Sequence, residues 1–295
     1  MGTITKLLES LLSGLSLGSI YALIALGYTM VYGIAKMLNF AHGDIIMAGA
    51  FSIIVFTATC GLPPIVAILL GILFCMLLGV TVEFLAYRPL RKASPLAVLI
   101  TAIGVSYLLQ NVAQLLFGTS DTEFPISVGN SALALGQISV KYSVLLTVAV
   151  TGAIMIILTL FIAKSRTGKA MRAVSEDKDA AELMGINVNR TISVTFAIGS
   201  ALAAVAGLFY GMAYHYVGAT TGAMPGIKAF VAAVFGGIGS IPGAMLGGIL
   251  LGIIEKLAQT YISTELSDAI VFGVLILVLI VKPTGLLGKK ISEKV

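Results

Sequence analysis

The stretch LLSGLSLGSIYALIALGYTMVYGI, Leu11–Ile34, contains no Asp, Glu, Lys or Arg. At about 1.5 Å per residue it is long enough, as a helix, to cross a hydrocarbon core of about 30 Å. Similar uncharged runs follow at Ile45–Cys60, Pro63–Val82, Pro95–Phe117, Ser143–Ala163, Thr191–Ala213 and Ala269–Val281. A Gly-rich apolar region, Ile227–Ile254, lies before the last of them. The chain is 58% hydrophobic and 11% charged, with a mean hydropathy of +1.07. A soluble domain carries about 25% charged residues, so lipid is the main solvent here. With no water in the bilayer core, each span must satisfy its own backbone, and runs this long and continuous do so as helices rather than barrel strands. The expected fold is an all-α polytopic bundle of about eight spanning segments, residues 1–295 forming one transmembrane domain.

Two regions depart from the simple pattern. Ile45–Cys60 is short, and Ile227–Ile254 is interrupted by Gly236-Gly237-Ile238-Gly239-Ser240-Ile241-Pro242-Gly243. A Gly/Pro break at membrane depth marks a broken or re-entrant segment, tolerated where protein or a wet cavity covers the freed backbone. If both halves cross, the count rises to nine. Glycines also recur at four-residue spacing, as in Gly14/Gly18, Gly207/Gly211 and Gly248/Gly252, the pattern that lets helices approach closely in lipid.

The net charge of +5 does not indicate a nucleic-acid partner, because 13 of the 18 basic residues fall in loops between spans or in the C-terminal tail. They are Arg88, Arg91 and Lys92; Lys164, Arg166, Lys169, Arg172, Lys178 and Arg190; and Lys282, Lys289, Lys290 and Lys294. The loop Gly118–Tyr142 carries Lys141 against Asp121 and Glu123. The basic loops therefore face the cytoplasm and Gly118–Tyr142 faces out. Counting back from Glu83 puts the N-terminus outside. The first run is too long for a signal-peptide core and lacks an A-x-A site, so it reads as a retained helix. Cys60 and Cys75 lie in apolar stretches without metal-ligand spacing and read as small hydrophobes.

The longest polar segment, Lys164–Arg190, reads KSRTGKAMRAVSEDKDAAELMGINVNR. Ser175 is a plausible N-cap, with Glu176 and Asp177 favouring the positive end of a helix, and Gly185 a plausible C′ residue. The implied helix, Glu176–Met184, is too short to stand alone in water. Ala180, Leu183 and Met184 would share a face, with Asp177 near it. Such a helix at a membrane surface needs either its own bundle or a soluble partner to pack against.

Asp179-Ala180-Ala181, with Gly185 four residues after Ala181, resembles the "EAA…G" coupling signature of ABC-importer permeases, with Asp in place of the usual Glu. YALIALGYTMVYGI (Tyr21–Ile34), NFAHGD (Asn39–Asp44), AYRPLR (Ala86–Arg91), GIKAFVAAVFGGIGSIPGAMLGG (Gly226–Gly248) and KPTGLLG (Lys282–Gly288) resemble the branched-chain amino-acid ABC-transporter permeases, specifically their H-type subunit. The resemblance runs in order through nearly the whole chain. It implies a bacterial cytoplasmic-membrane protein paired with a homologous M-type permease, two cytoplasmic ATPases and a periplasmic binding protein that delivers leucine, isoleucine or valine. It implies that Arg172, Ser175, Glu176, Asp177, Asp179, Ala180, Ala181, Leu183, Met184 and Gly185 form or flank the ATPase-coupling helix. This chain would bind no cofactor itself, ATP and Mg²⁺ residing on the ATPases. The residues agree in one respect: no G-x-x-x-x-G-K-[ST] loop is present, Gly168-Lys169 being followed by Ala170.

Other polar residues mark a second candidate region. Asn39, His42 and Asp44, together with Gly236, Gly237, Gly239, Pro242 and Gly243 of the break, are candidate path-lining or gating positions, since irregular or ionisable groups at membrane depth are costly. The alternative for the first three is an interfacial loop meeting headgroups and water. Gln110, Asn111 and Gln114 suit inter-helix hydrogen bonding. Tyr210, Tyr214, His215 and Tyr216 suit an aromatic belt at the outer interface. Glu255 and Lys256 are expected at a helix end. No metal or nucleophile constellation falls at a common depth, which argues against an enzyme. The alternative to an ATP-driven permease is a self-sufficient secondary transporter or channel for small amino acids or amides.

Overall fold

A computed structural model describes residues 3–91, 93–129, 132–135 and 138–288; Lys92, Lys289, Lys290 and Lys294 of the basic loops lie outside them. The described elements are helices α1 (Thr3–Ala35), α2 (His42–Ile54), α3 (Pro64–Val82), α4 (Pro95–Phe117), α5 (Tyr142–Lys164), α6 (Arg166–Glu176), α7 (Lys178–Leu183), α8 (Val188–Tyr214), α9 (Ala223–Gly236), α10 (Ile241–Tyr261) and α11 (Ser267–Val281). Short strands β1 (Thr122–Glu123), β2 (Ala132–Leu135), β3 (Ile138–Lys141) and β4 (Tyr216–Val217) form two antiparallel ribbons, β1–β4 and β2–β3. The fold is an all-α polytopic bundle. Among the described residues seven helices are long and apolar enough to span, and α9 and α11 are shorter apolar helices. Seven long and two short apolar helices among the described residues agree with the expectation of about eight, or nine where the break divides its region. The glycine break ends α9 at Gly236 and starts α10 at Ile241.

Side-chain and ribbon contacts sort the helix ends. At one end, Lys178 Nζ donates to Ala35 O, and Arg91 donates to Asn189, gathering the ends of α1, α3 and α7 and the start of α8. At the other, β1 pairs with β4 and Ser10 Oγ donates to Thr260 Oγ1. The Ser139 N–H donates to Glu9 there as well. The first end carries the basic loops and is called the inner one on the positive-inside tendency; the start of α1 lies at the opposite, outer end.

The centre of the bundle is α1 and α8, whose faces are mostly buried, while α3, α4, α5 and α11 turn apolar side chains such as Ile65, Leu115, Ile157 and Ile280 outward. Small residues set the spacing of α1 and α10. A Cβ at Gly18 would lie 2.6 Å from the Ile249 carbonyl oxygen, so the two backbones touch where hydrogen is the side chain. Helix α1 begins at Thr3 rather than Leu11, taking Lys6 and Glu9 into its first turns. At about 1.5 Å per residue its full length is about 50 Å, more than the hydrocarbon thickness, so its polar start stands clear of the core. Two π-helical turns, Val55–Thr59 and Glu83–Tyr87, extend α2 and α3. Cys75 is buried, whereas Cys60 follows the first π turn and is exposed.

Candidate functional site

The polar segment between α5 and α8 folds as two short helices rather than one. The Ser165 Oγ accepts from Gly168 N at 2.9 Å and opens α6. Ser175 lies inside α6, its hydroxyl donating to Arg172 O at 2.7 Å, so it is not the cap expected for the next helix. The cap is Asp177, which leaves the helical region at φ −153° and accepts from Asp179 N at 2.9 Å and Ala180 N at 3.0 Å. A carboxylate beats the hydroxyl two positions earlier because it carries charge to the positive helix end. Glu176 is accordingly the last residue of α6.

Helix α7 ends in a Schellman motif. Gly185 has φ +82°, its N–H donates to Glu182 O at 2.9 Å, and Ile186 N–H donates to Ala181 O at 3.0 Å. Ala181 is buried against the bundle with Ile186 packed beside it. Leu183 and Met184 point away, 89% and 83% exposed, and Asp179 and Ala180 are exposed too. Asn187 then caps α8 by accepting from Arg190 N at 2.9 Å. Arg172 reaches back to Ala163 O at 3.0 Å. A groove of about 570 Å³ runs beside α7, lined by Arg91, Lys178, Asp179, Glu182, Asn187 and neighbouring residues. Lys178 donates to Ala35 O at 2.8 Å, closing the negative end of α1. Burial first, then the Arg91 and Lys36 cations, hold its ammonium below the ordinary lysine pKa, opposed by Asp179.

One wall of that groove rests on a residue that sequence reading passed over. Glu83, fully buried in the second π turn, pairs with Arg91 and accepts from Ser193 Oγ at 2.7 Å. Its signal was available: a carboxylate directly at the end of an apolar run, with Arg91 eight positions on, requires a buried partner.

Asn39, His42 and Asp44 are each at most 2% exposed, so the interfacial-loop reading does not hold. Asn39 Oδ1 accepts from Tyr87 OH at 2.8 Å, and Asp44 Oδ1 accepts from Gln110 Nε2 at 2.8 Å, the inter-helix bond expected of Gln110. Asn111 instead is exposed and donates within its own helix to Tyr107 O. His42 meets the edge of Tyr28 at 4.8 Å between ring centroids. His42 Nε2 and Asn39 Nδ2 have no hydrogen-bond partner among the described residues. The glycine break lies elsewhere, at the inner end. Gly236 and Gly243 are in backbone contact, Gly237 packs on Gly288, and Leu286 and Leu287 donate to Phe235 O and Gly236 O at 2.9 Å each. Gly239 lies beside Gly33, and Pro242 sits in the first turn of α10. Here the break serves close packing within the chain.

The second unforeseen cluster is an ion-pair network between helices. Lys228 Nζ lies 2.7 Å from Glu255 Oε1 and 2.6 Å from Asp268 Oδ1. Tyr21 OH donates to Glu255 Oε2 at 2.9 Å, and Gln259 Nε2 to Glu255 Oε1 at 3.2 Å. Glu255 is thus not at a helix end but in the body of α10, 2% exposed. The network joins α1, α9, α10 and α11. Lys228 inside an otherwise uncharged region was the sequence clue, since a lysine at that depth demands a counter-ion. Tyr210 and Tyr214 stack nearby at 4.3 Å, with Tyr214, His215 and Tyr216 exposed at the outer end.

Residues 10–279 match the family described as "Branched-chain amino acid transport system / permease component". Over 307 residues, covering 100% of both chains, the sequence is 45% identical to the high-affinity branched-chain amino acid transport system permease protein BraD of Pseudomonas aeruginosa. It is 46% identical over 302 residues to the corresponding protein LivH of Escherichia coli strain K12, covering 98% of this chain and 97% of that one. Among solved structures, PsaBC from Streptococcus pneumoniae in complex with Fab aligns over 95% of this chain and 92% of its own, at 16% identity and a TM-score of 0.44.

Proposed function

Since this chain belongs to the family of permease components of branched-chain amino acid transport systems, we propose that it forms one half of an ATP-driven pathway for leucine, isoleucine and valine across a bacterial inner membrane. It is a multi-pass membrane protein and a transport subunit rather than an enzyme. The finer reading adds a homologous M-type permease, two ATPases at the inner end and a binding protein at the outer end. ATP and Mg²⁺ stay on the ATPases.

The observation that carries this reading is α7. Its cap, its Schellman end and its buried Ala181 fix a short helix to the bundle while Leu183 and Met184 stand in solvent. Exposed apolar side chains on a rigid mount are the arrangement that a partner's cleft engages. Closure of an ATPase dimer would push on α7. Ala181 and the Glu83–Arg91 pair would pass that displacement to α8 and α3, because packed elements move as rigid bodies. Within the membrane, the buried Asn39–His42–Asp44 turn is proposed to border the path, on the strength of its unpartnered polar atoms.

The test is co-purification and uptake. Leu183→Asp with Met184→Asp should abolish recovery of ATP-binding chains with the permease in mild detergent, and with it ATP-dependent leucine uptake, while membrane insertion is unchanged. Ion-gradient-driven uptake by this chain alone would replace the proposal with the secondary-transporter reading.

A further inference from the structure

We infer that a cavity at the outer end of the bundle is a binding site for a free α-amino acid with an apolar side chain, an inference that rests on the transport reading above. The cavity has a volume of about 710 Å³ and is bounded by α1, α5, the end of α8 and the β2–β3 hairpin. Pockets for small ligands range over roughly 300–1,000 Å³, so the volume accommodates such a molecule with bound water.

The lining mixes charged, hydroxyl-bearing and apolar side chains. Glu9, Lys141 and Lys256 contribute charge of both signs, with Glu9 bonded to the hairpin at the outer side. Leu17, Phe209 and Met212, all buried, contribute a hydrocarbon wall. Ser16 and Thr147 also line the cavity, the Thr147 hydroxyl donating to Ser143 O at 2.8 Å. From Glu9 to Leu17 along α1 is about 12 Å at 1.5 Å per residue. A branched-chain amino acid has both kinds of group: an ammonium and a carboxylate on one carbon, and an aliphatic end. Charges of both signs offset the hydration that a zwitterion gives up on entry, and the apolar wall takes the side chain.

The charged groups have bonding capacity to spare. Glu9 accepts a single described hydrogen bond, from Ser139 N–H at 3.3 Å, and Lys256 donates to Gln259 Oε1 at 3.3 Å. Neither has an ion-pair partner among the described residues. A carboxylate has about four lone-pair sites and an ammonium three donors, so each can take a ligand without losing its present contact. The wall is held in place from behind. Ile20 and Lys256 face the cavity, while their chain neighbours Tyr21 and Glu255 are hydrogen-bonded at 2.9 Å, fixing α1 against α10 at that level. The hairpin is tied to α1 through Glu9.

The test uses the assembled transporter in phosphatidylcholine nanodiscs, without binding protein, and measures equilibrium binding of radiolabelled L-leucine. Saturable binding is expected. Glu9→Gln should weaken it roughly ten- to hundredfold, as for loss of a charge-assisted hydrogen bond. Ser16→Phe, which fills the cavity and alters no charge, should abolish it. No binding to the wild type, or wild-type binding by both variants, overturns the inference. So does the lipid outcome: no leucine binding, but phosphatidylethanolamine retained by the wild type through purification and lost from Ser16→Phe. Leucine uptake by the wild type with its binding protein is measured alongside. Absence of uptake sinks the transport reading, whereas uptake without leucine binding at the cavity sinks this inference alone.

Discussion

Replacing Lys228 by methionine keeps most of the side-chain volume and removes the cation. In the native bundle Glu255 is 2% exposed, with Lys228 at 2.7 Å and Tyr21 OH at 2.9 Å. Deleting one partner of a buried pair costs roughly 3–5 kcal/mol, because the other charge is left uncompensated in low dielectric. The contact to Asp268 adds little, since that side chain is 40% exposed and an exposed pair is worth about 0–1 kcal/mol. Lys228→Met should therefore lose roughly 3–5 kcal/mol. Lys228→Met with Glu255→Gln leaves no buried charge and retains the possibility of a Tyr21 hydrogen bond. It should recover more than half of the loss, because removing both members of a pair leaves nothing unpaired. Reversible unfolding in mixed micelles, followed by circular dichroism across the single and double variants, gives the coupling energy directly. A double variant as unstable as the sum of the singles would refute the network as a coupled unit. So would a Lys228→Met protein within about 1 kcal/mol of wild type, the scale of an exposed pair.

The remaining predictions concern the inner end and the packing of the bundle. Asp177→Ala removes the true cap of α7 and should cost about 1 kcal/mol of local stability and reduce ATP-driven uptake, while Ser175→Ala leaves uptake at the wild-type level. Gly185→Val forces a β-branched residue to φ +82°, worth roughly 1–2 kcal/mol of strain, and should uncouple ATP hydrolysis from transport without preventing insertion; normal substrate-stimulated hydrolysis would contradict this. Gly18→Leu sets a side chain against the Ile249 backbone and should destabilise by roughly 1–3 kcal/mol in the same unfolding assay. In a background lacking Cys60 and Cys75, a cysteine at Ser127 should react with an impermeant reagent added outside, and one at the exposed position of Glu182 only after the inner face is opened; the reverse pattern would invert the topology.

What could be read in the sequence was whatever depends on local pattern. Uncharged runs gave the long helices because a lipid-embedded backbone has few options, and Gly185 was legible because a positive-φ terminus selects glycine. The cap at Asp177 was misplaced by two residues, since Ser175, Asp177 and Asp179 all carry capping chemistry and only the tertiary placement of α6 decides among them. The start of α1 was missed because Lys6 and Glu9 interrupt the apolar count without interrupting the helix, which there projects beyond the hydrocarbon core. Long-range pairing was the least visible. Nothing near Lys228 in the chain announces Glu255; the turn at Gly237–Ser240 brings α9 and α10 side by side, and only then do the charges meet. Glu83 and Arg91, close in sequence, were within reach, and the π turn that presents Glu83 was not, because its wider hydrogen bonding has no residue-level signature of its own.

The clasp between the end of α9 and residues 286–287 bears on how the protein is made. Phe235 O and Gly236 O receive their hydrogen bonds from Leu286 and Leu287 N–H, at 2.9 Å each, and Lys282 Nζ reaches Leu286 O at 2.6 Å. Synthesis runs at about 5–20 residues per second, so α9 leaves the ribosome seconds before the chain that closes it exists. During that interval two carbonyls at the foot of α9 are satisfied by water at the inner interface, and the α9–α10 hairpin stands without its final tie. The foot of α9 is therefore closed only once residues 286–287 have emerged. A chain truncated after Val281 should insert its helices with the inner face unlocked, more open to protease there than the untruncated chain.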